Sequence, residues 1–155
     1  IAIRTIEWRA INMSFDLKIE QGLLSIDTNG DFRKVENTAK LVQEILKICI
    51  SPLNGNPFDP GYGSLLSKTL IGNPLPMDFL VSSASNQLSG CLQYLQKLQK
   101  EQLNYQPVSA AEQLAALQQI KIERNQEDPR FFEVVIKCLS RDLTTISPTF
   151  LVDPL

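Results

Sequence analysis

The side chains that could do chemistry here are carboxylates, hydroxyls, amines and three thiols, because the sequence contains no histidine. Without imidazole, no Ser-His or Cys-His nucleophile pair and no histidine metal site can be assembled. Cys49, Cys91 and Cys138 are odd in number, far apart and set among apolar neighbours. They read as small buried hydrophobes of a reducing compartment, not as a zinc site or a disulfide framework. Paired carboxylates remain. Glu36 with Glu44, or Glu127 with Asp128, are of the types a glycosidase uses, but neither pair has an aromatic sugar platform beside it in sequence. Asp27, Asn29 and Asp31 match the first three ligand positions of a calcium loop. That loop needs Gly where this chain has Phe32, and a bidentate Glu where it has Thr38. Gly61-Tyr62-Gly63 has no membrane span to make it an ion filter. Gly61-Tyr62-Gly63-Ser64 also lacks the glycine spacing and Lys of a phosphate loop. The sequence therefore predicts no catalytic residue, no metal and no cofactor.

Two stretches stand out as binding surfaces instead. Asn56 to Leu66, NPFDPGYGSLL, is too rich in Gly and Pro for a helix or central strand and too aromatic for a plain connection. Its prolines and glycines are expected to fix a sharp turn, either with Phe58 and Tyr62 pinning it to the domain and Asp59, Pro60, Gly61, Tyr62 and Gly63 left as a shaped surface for a partner, or with both aromatics simply finishing the core. The second stretch is Glu127-Asp128-Pro129-Arg130. It reads either as a solvated turn with Pro at its favoured position, or as a rigid turn presenting Arg130 for bidentate pairing with a partner's carboxylate.

The elements that position these stretches follow from periodicity. Residues 16–36 alternate as strand, turn, strand, turn and short strand, with Asn29-Gly30 supplying a tight hairpin. Leu41, Val42, Ile45, Leu46 and Cys49 recur at helical spacing over 37–50, with Asn37 or Thr38 as N-cap and Ser51-Pro52 as the stop. A short helix is expected around Leu65–Ile71. A longer one over about 77–104 has Phe79, Leu80, Leu88, Cys91, Leu92, Leu95 and Leu98 on its inner face, with Gly90 weakening its middle. Ser109-x-x-Glu112 reads as a capping box opening a further helix to about Gln119. Residues 120–124 alternate as a strand. Residues 131–140 form a β-rich run with Phe132, Val134, Ile136 and Cys138 on one face, and 144–152 an edge strand interrupted by Pro148. The fold class is α+β: an N-terminal β-hairpin, then several helices packed on a small mixed or antiparallel sheet formed with the C-terminal strands.

Composition bounds the rest. At 155 residues the chain suggests one domain with a sizeable core, and a net charge of −2 gives no reason to expect nucleic acid or an anionic membrane as partner. Residues 1–14 are expected to be an N-terminal extension and 15–155 a single domain. IAIRTIEW, within that extension, reads as an arm that pairs as a strand or as a disordered leader.

The loop and the charged turn, in this order, resemble the small baseplate wedge proteins of contractile phage tails. That lysozyme-like family includes the sheath initiators of tailed phages and type VI secretion systems. The family's Pro- and Gly-rich loop after an apolar helix has its counterpart in Ser51 to Leu66, most closely in Pro60-Gly61-Tyr62-Gly63-Ser64. Its Glu-Pro-Arg turn has a counterpart with one extra residue in Glu127-Asp128-Pro129-Arg130. The leading hairpin is longer than in compact members, and the resemblance covers about residues 15–152. It implies a non-enzymatic protein of a virion tail baseplate, made in a host cytoplasm. The turn would dock on the wedge's helical bundle, and a sheet edge would be offered to the first sheath subunits. Strand 131–140, with Val134 and Ile136, and segment 144–152 are where that edge is expected. The implied partners are the tail sheath protein, the wedge proteins and neighbouring tube or hub proteins, with no nucleic acid and no membrane. A regulatory adaptor of the same fold and a cell-wall muramidase are the alternatives.

Overall fold

The computed structural model describes residues 14–153. The arm expected within residues 1–12 lies outside the described residues.

The N-terminal strands are short and local. β1 (Asp16–Leu17) pairs antiparallel with β4 (Lys34–Val35), and β2 (Ile19–Glu20) with β3 (Leu23–Leu24). An antiparallel bridge joins Ile26 to Phe32. Between them the Asp27 amide donates to the Asp31 carbonyl at 2.8 Å, while the Asp27 carboxylate accepts the amides of Asn29 and Asp31 at 2.8 and 3.0 Å. The would-be calcium loop is a hairpin turn whose first acidic side chain caps the turn's own backbone.

The helices lie where periodicity puts them. α1 (Asn37–Ile50) buries Lys40, Leu41, Ile45, Ile48 and Cys49, α2 (Leu66–Leu70) buries Leu66 and Leu70, and α3 spans Met77–Gln102. The buried residues of α3, Leu80, Ala84, Leu88, Cys91, Leu92, Leu95 and Gln99, recur at steps of three and four, the stripe a helix must bury. Two details depart from expectation. Phe79 falls outside that stripe and is 59% exposed. The α1 N-terminus has no side-chain cap from Asn37 or Thr38; Asn37 is left-handed (φ 53°), and its amide donates to Glu112 Oε1 at 3.3 Å.

The C-terminal half is a four-stranded antiparallel sheet. β5 (Leu114–Arg124) pairs with β6 (Phe132–Ser140), and β6 pairs on its other side with β7 (Thr145–Ile146) and β8 (Thr149–Val152). The helix expected over 109–119 is a single 3-10 turn, Ala110–Glu112, followed at once by β5. The reason is visible in the register. Leu114, Leu117 and Ile120, three residues apart, oppose Ser140, Cys138 and Ile136, two apart, because β5 has irregularities between Leu114 and Ala116 and between Leu117 and Gln119. Each bulge inserts one residue, so a spacing that reads as helical lies along one face of a strand.

β6 is the central strand, and its Phe132, Val134, Ile136, Cys138 and Ser140 are all buried. The expectation that 131–140 offers an open edge is therefore corrected: it is hydrogen-bonded on both sides, and Val134 and Ile136 face the core. Segment 144–152 does lie at the rim, broken at Ser147-Pro148, with the Pro148 carbonyl accepting the Ile136 amide at 3.0 Å. Inward residues of β5, β6, β7 and β8 join those of the three helices in one hydrophobic cluster. Each fully buried Leu or Ile in it contributes about 1.5–3 kcal/mol. Cys49, Cys91 and Cys138 are all free thiols in this core, and burial pushes each one's pKa up, which makes them inert hydrophobes.

Candidate functional site: a rigid loop, a charged turn and a sheet edge

The loop between α1 and α2 is built on backbone bonds that bring Pro52 and Ser64 together as an isolated parallel bridge. The Leu53 amide donates to the Ser64 carbonyl at 2.9 Å and the Ser64 amide to the Ser51 carbonyl at 2.8 Å. Ser64 Oγ also donates to the Cys49 carbonyl at 2.6 Å. Gly63 makes this possible: it sits at φ 114°, and a Cβ there would lie 2.6 Å from the Ser51 carbonyl oxygen. Its carbonyl receives Cys91 Sγ at 3.0 Å, so the loop is tied to the middle of α3.

The outer part is closed separately. The Asn54 amide donates to the Pro60 carbonyl at 3.2 Å, and the Phe58 amide to Asn56 Oδ1 at 3.0 Å. Tyr94 of α3 donates its hydroxyl to Asp59 Oδ1 at 2.6 Å, a bond that, with burial, pushes the tyrosine's pKa up. Gly61 lies against the Tyr94 ring, which an added Cβ would approach to 3.2 Å. Tyr62 packs half-buried against the core. Burial, reinforced by Glu44, Asp16 and other acids, pushes its hydroxyl up to about 12. Of the two aromatics expected to pin the loop, Tyr62 does so, whereas Phe58 is 98% exposed. Sequence reasoning also missed Tyr94, which holds Asp59. The flanking Pro57 and Pro60 signalled the stiffness of the loop but not which way Phe58 points.

The charged turn joins β5 to β6. Asn125 Oδ1 accepts the amides of Glu127 and Asp128 at 2.9 and 3.0 Å, and the Phe131 amide closes the turn on the Asp128 carbonyl at 3.0 Å. Arg130 folds back on Asp128, donating from Nε at 3.0 Å and from Nη2 at 2.7 Å. This fork holds the Asp128 carboxyl below the usual carboxylate range and the guanidinium above its own. A partner's carboxylate would thus compete with Asp128 for Arg130, and the exposed pair is weak enough to exchange. Beside the turn is a groove lined by Ile71, Gly72, Asn73, Arg124, Pro129 and Arg130. The turn therefore sits by the end of α2, while the Asp59–Gly63 loop packs against the middle of α3.

The sheet has two rims. β7 and β8 are two and four residues long. β5 is eleven residues long, and among the described residues no strand pairs with its outer side. Its first backbone groups are covered by α3: Gln96 Nε2 donates to the carbonyls of Leu114 and Ala115 at 3.2 and 3.0 Å, and the Leu114 amide donates to Gln99 Oε1 at 2.8 Å.

Under this surface lies a buried polar knot that sequence reasoning also missed. Lys40, 3% exposed, bonds Glu112 Oε2 at 3.2 Å, Glu44 at 3.3 Å and the hydroxyl of Ser14, and Glu112 itself is 1% exposed. Gln99 donates to Glu44 at 2.9 Å and to the Glu112 carbonyl at 2.9 Å. The expected capping-box glutamate thus serves as counter-ion to α1. A lysine adjoining the apolar stripe of that helix was the sequence signal.

No family model matches this sequence, and no curated protein matches it. Among solved structures, a candidate tail lysozyme from Geobacter sulfurreducens aligns with a TM-score of 0.54 at 9% identity, over 72% of this chain and 85% of that chain. That likeness shows a shared α+β fold.

Proposed function

We propose that this chain is a structural component of a contractile-tail baseplate, in which the Glu127–Arg130 turn docks on wedge subunits and a sheet edge starts sheath polymerisation. The observation that carries the reading is the rim at β5. From Ala116 to Arg124 the side turned away from β6 offers an extended backbone that no described strand covers, a template on which a second chain's arm gains main-chain hydrogen bonds. Its two bulges and its exposed Lys121, Glu123 and Arg124 are devices that keep such an edge from pairing with copies of itself. The likeness to a protein described as a tail lysozyme agrees with a tail location. Co-expression with the cognate sheath protein is expected to yield sheath seeded on this subunit. Absence of any association between the two folded proteins would sink the proposal.

That neighbour's description also raises a second reading, cell-wall hydrolysis. The candidate carboxylates are poorly placed for it: Glu44 is engaged by Lys40 and Gln99, and Asp128 is held by Arg130 with its proton affinity lowered, the reverse of what a general acid needs. Clearing of a peptidoglycan overlay by the pure protein, lost in Glu127→Gln, would establish hydrolysis.

A further inference from the structure

Phe58 is the most exposed large hydrophobic side chain among the described residues, and it stands on one of the most tightly bonded loops. We infer that Phe58 is the anchor by which this loop plugs into an uncharged apolar pocket on a neighbouring protein subunit. The inference rests on the assembly reading above and names the contact residue that it lacks.

Three observations support it. First, the tip is rigid before any partner arrives. The Asn54–Pro60 bond closes the tip, Asn56 caps the Phe58 amide, Asp59 is held by Tyr94, and prolines at 57 and 60 restrict the backbone on both sides. An anchor presented this way pays little ordering entropy on binding, and aromatic anchors dominate interface energies. Second, the ring contributes almost nothing to the fold. At 98% exposure it has no core to complete, whereas the loop's other aromatic, Tyr62, packs on the core. Third, the loop itself carries little charge. From Ser51 to Ser67 the only charged residue is Asp59, and its carboxylate is already taken by Tyr94. Such a tip has nothing to attract phosphates or an anionic bilayer, which suits an apolar protein pocket. At the root of the loop, Ile50, Pro52, Leu53 and Leu65 line a small, mainly apolar hollow that Ser64, Ser67 and Lys68 also border.

The test measures dissociation constants of wild type, Phe58→Ser and Phe58→Leu for the cognate wedge and sheath subunits, with thermal unfolding midpoints alongside. The expected result is that Phe58→Ser binds one of them at least ~30-fold more weakly while Phe58→Leu retains most of the affinity, with all three midpoints equal. Binding by Phe58→Ser within about threefold of wild type would overturn the anchor and leave the assembly reading standing. If wild type binds none of the subunits, the assembly reading falls and the anchor with it. Flotation of wild type on neutral phosphatidylcholine vesicles, lost in Phe58→Ser, would assign the tip to a bilayer and overturn the protein pocket.

Discussion

Replacing Lys40 by Met probes the buried knot that joins α1, the Ala110–Glu112 turn and Ser14. The change keeps the length of the side chain and removes its charge, so Glu112, at 1% exposure, keeps its carboxylate and loses the ammonium 3.2 Å away. Glu44 loses the same partner but retains Gln99. Removing one member of a buried pair typically costs about 3–5 kcal/mol, because the remaining charge is left desolvated and uncompensated. Against a total stability of about 5–15 kcal/mol, that is a large fraction, and it corresponds to a fall in melting midpoint of roughly 10 °C for a domain of this size. Adding Glu112→Gln should return about 2 kcal/mol, since the neutral side chain can still accept the Asn37 amide through its carbonyl oxygen. Urea unfolding of the wild type, both single variants and the double variant measures the cycle. A loss below about 1 kcal/mol for Lys40→Met, or strict additivity in the double variant, would refute the reasoning. By contrast, the exposed Lys97–Glu101 pair at 3.9 Å is expected to contribute under about 0.5 kcal/mol.

Further outcomes follow from single positions. Gly63→Ala forces a Cβ onto the Ser51 carbonyl at a left-handed φ and should cost about 3 kcal/mol or more by urea unfolding. Gly90→Ala fills open space on the exposed side of α3 and should stabilise by about 0.5–1 kcal/mol in the same assay. Partial burial raises the Asp16 carboxyl's pKa, but hydrogen bonds from Lys47, Gln43 and the Leu17 amide outweigh it and leave the group below the usual carboxylate range. A lowered folded-state value contributes stability above the unfolded value that is lost as pH falls through the folded one. Denaturant midpoints should therefore separate wild type from Asp16→Asn at pH 7 and converge under strongly acid conditions.

The three helices and the inward face of β6 were legible because each is amphipathic at its own period and nothing competes with it. α1 ends at Ile50 before Ser51-Pro52, and Phe132, Val134, Ile136 and Cys138 alternate without a break. β5 was legible only from Ile120 onward, because its bulges give the first half a helical rhythm, and Ser109-x-x-Glu112 added a false helix start. That glutamate is withdrawn into the core by a lysine seventy-two residues away in sequence, a contact no local pattern records. The centrality of β6 was equally hidden, since hydrophobic alternation reports which face is buried and says nothing of which strands lie beside it. In the candidate site, the stiffness of the loop could be read from its prolines and glycines. The direction of Phe58 could not, because a Pro-flanked aromatic fits a core slot or a solvent tip with equal ease.

The two bulges of β5 also bear on which length changes in this segment the fold should tolerate. Ala115 and Gln118 are the residues with no opposite number on β6. Deleting either would turn its bulge into regular pairing and leave Leu114, Leu117, Ile120 and Ile122 on the side they now occupy. Deleting a single residue between Ile120 and Arg124, where the ladder is regular, would instead turn every following side chain over. Natural variants of this strand should accordingly differ in length at 115 and 118 and nowhere else along it, and each one-residue loss there would straighten the rim that a neighbouring chain would have to match.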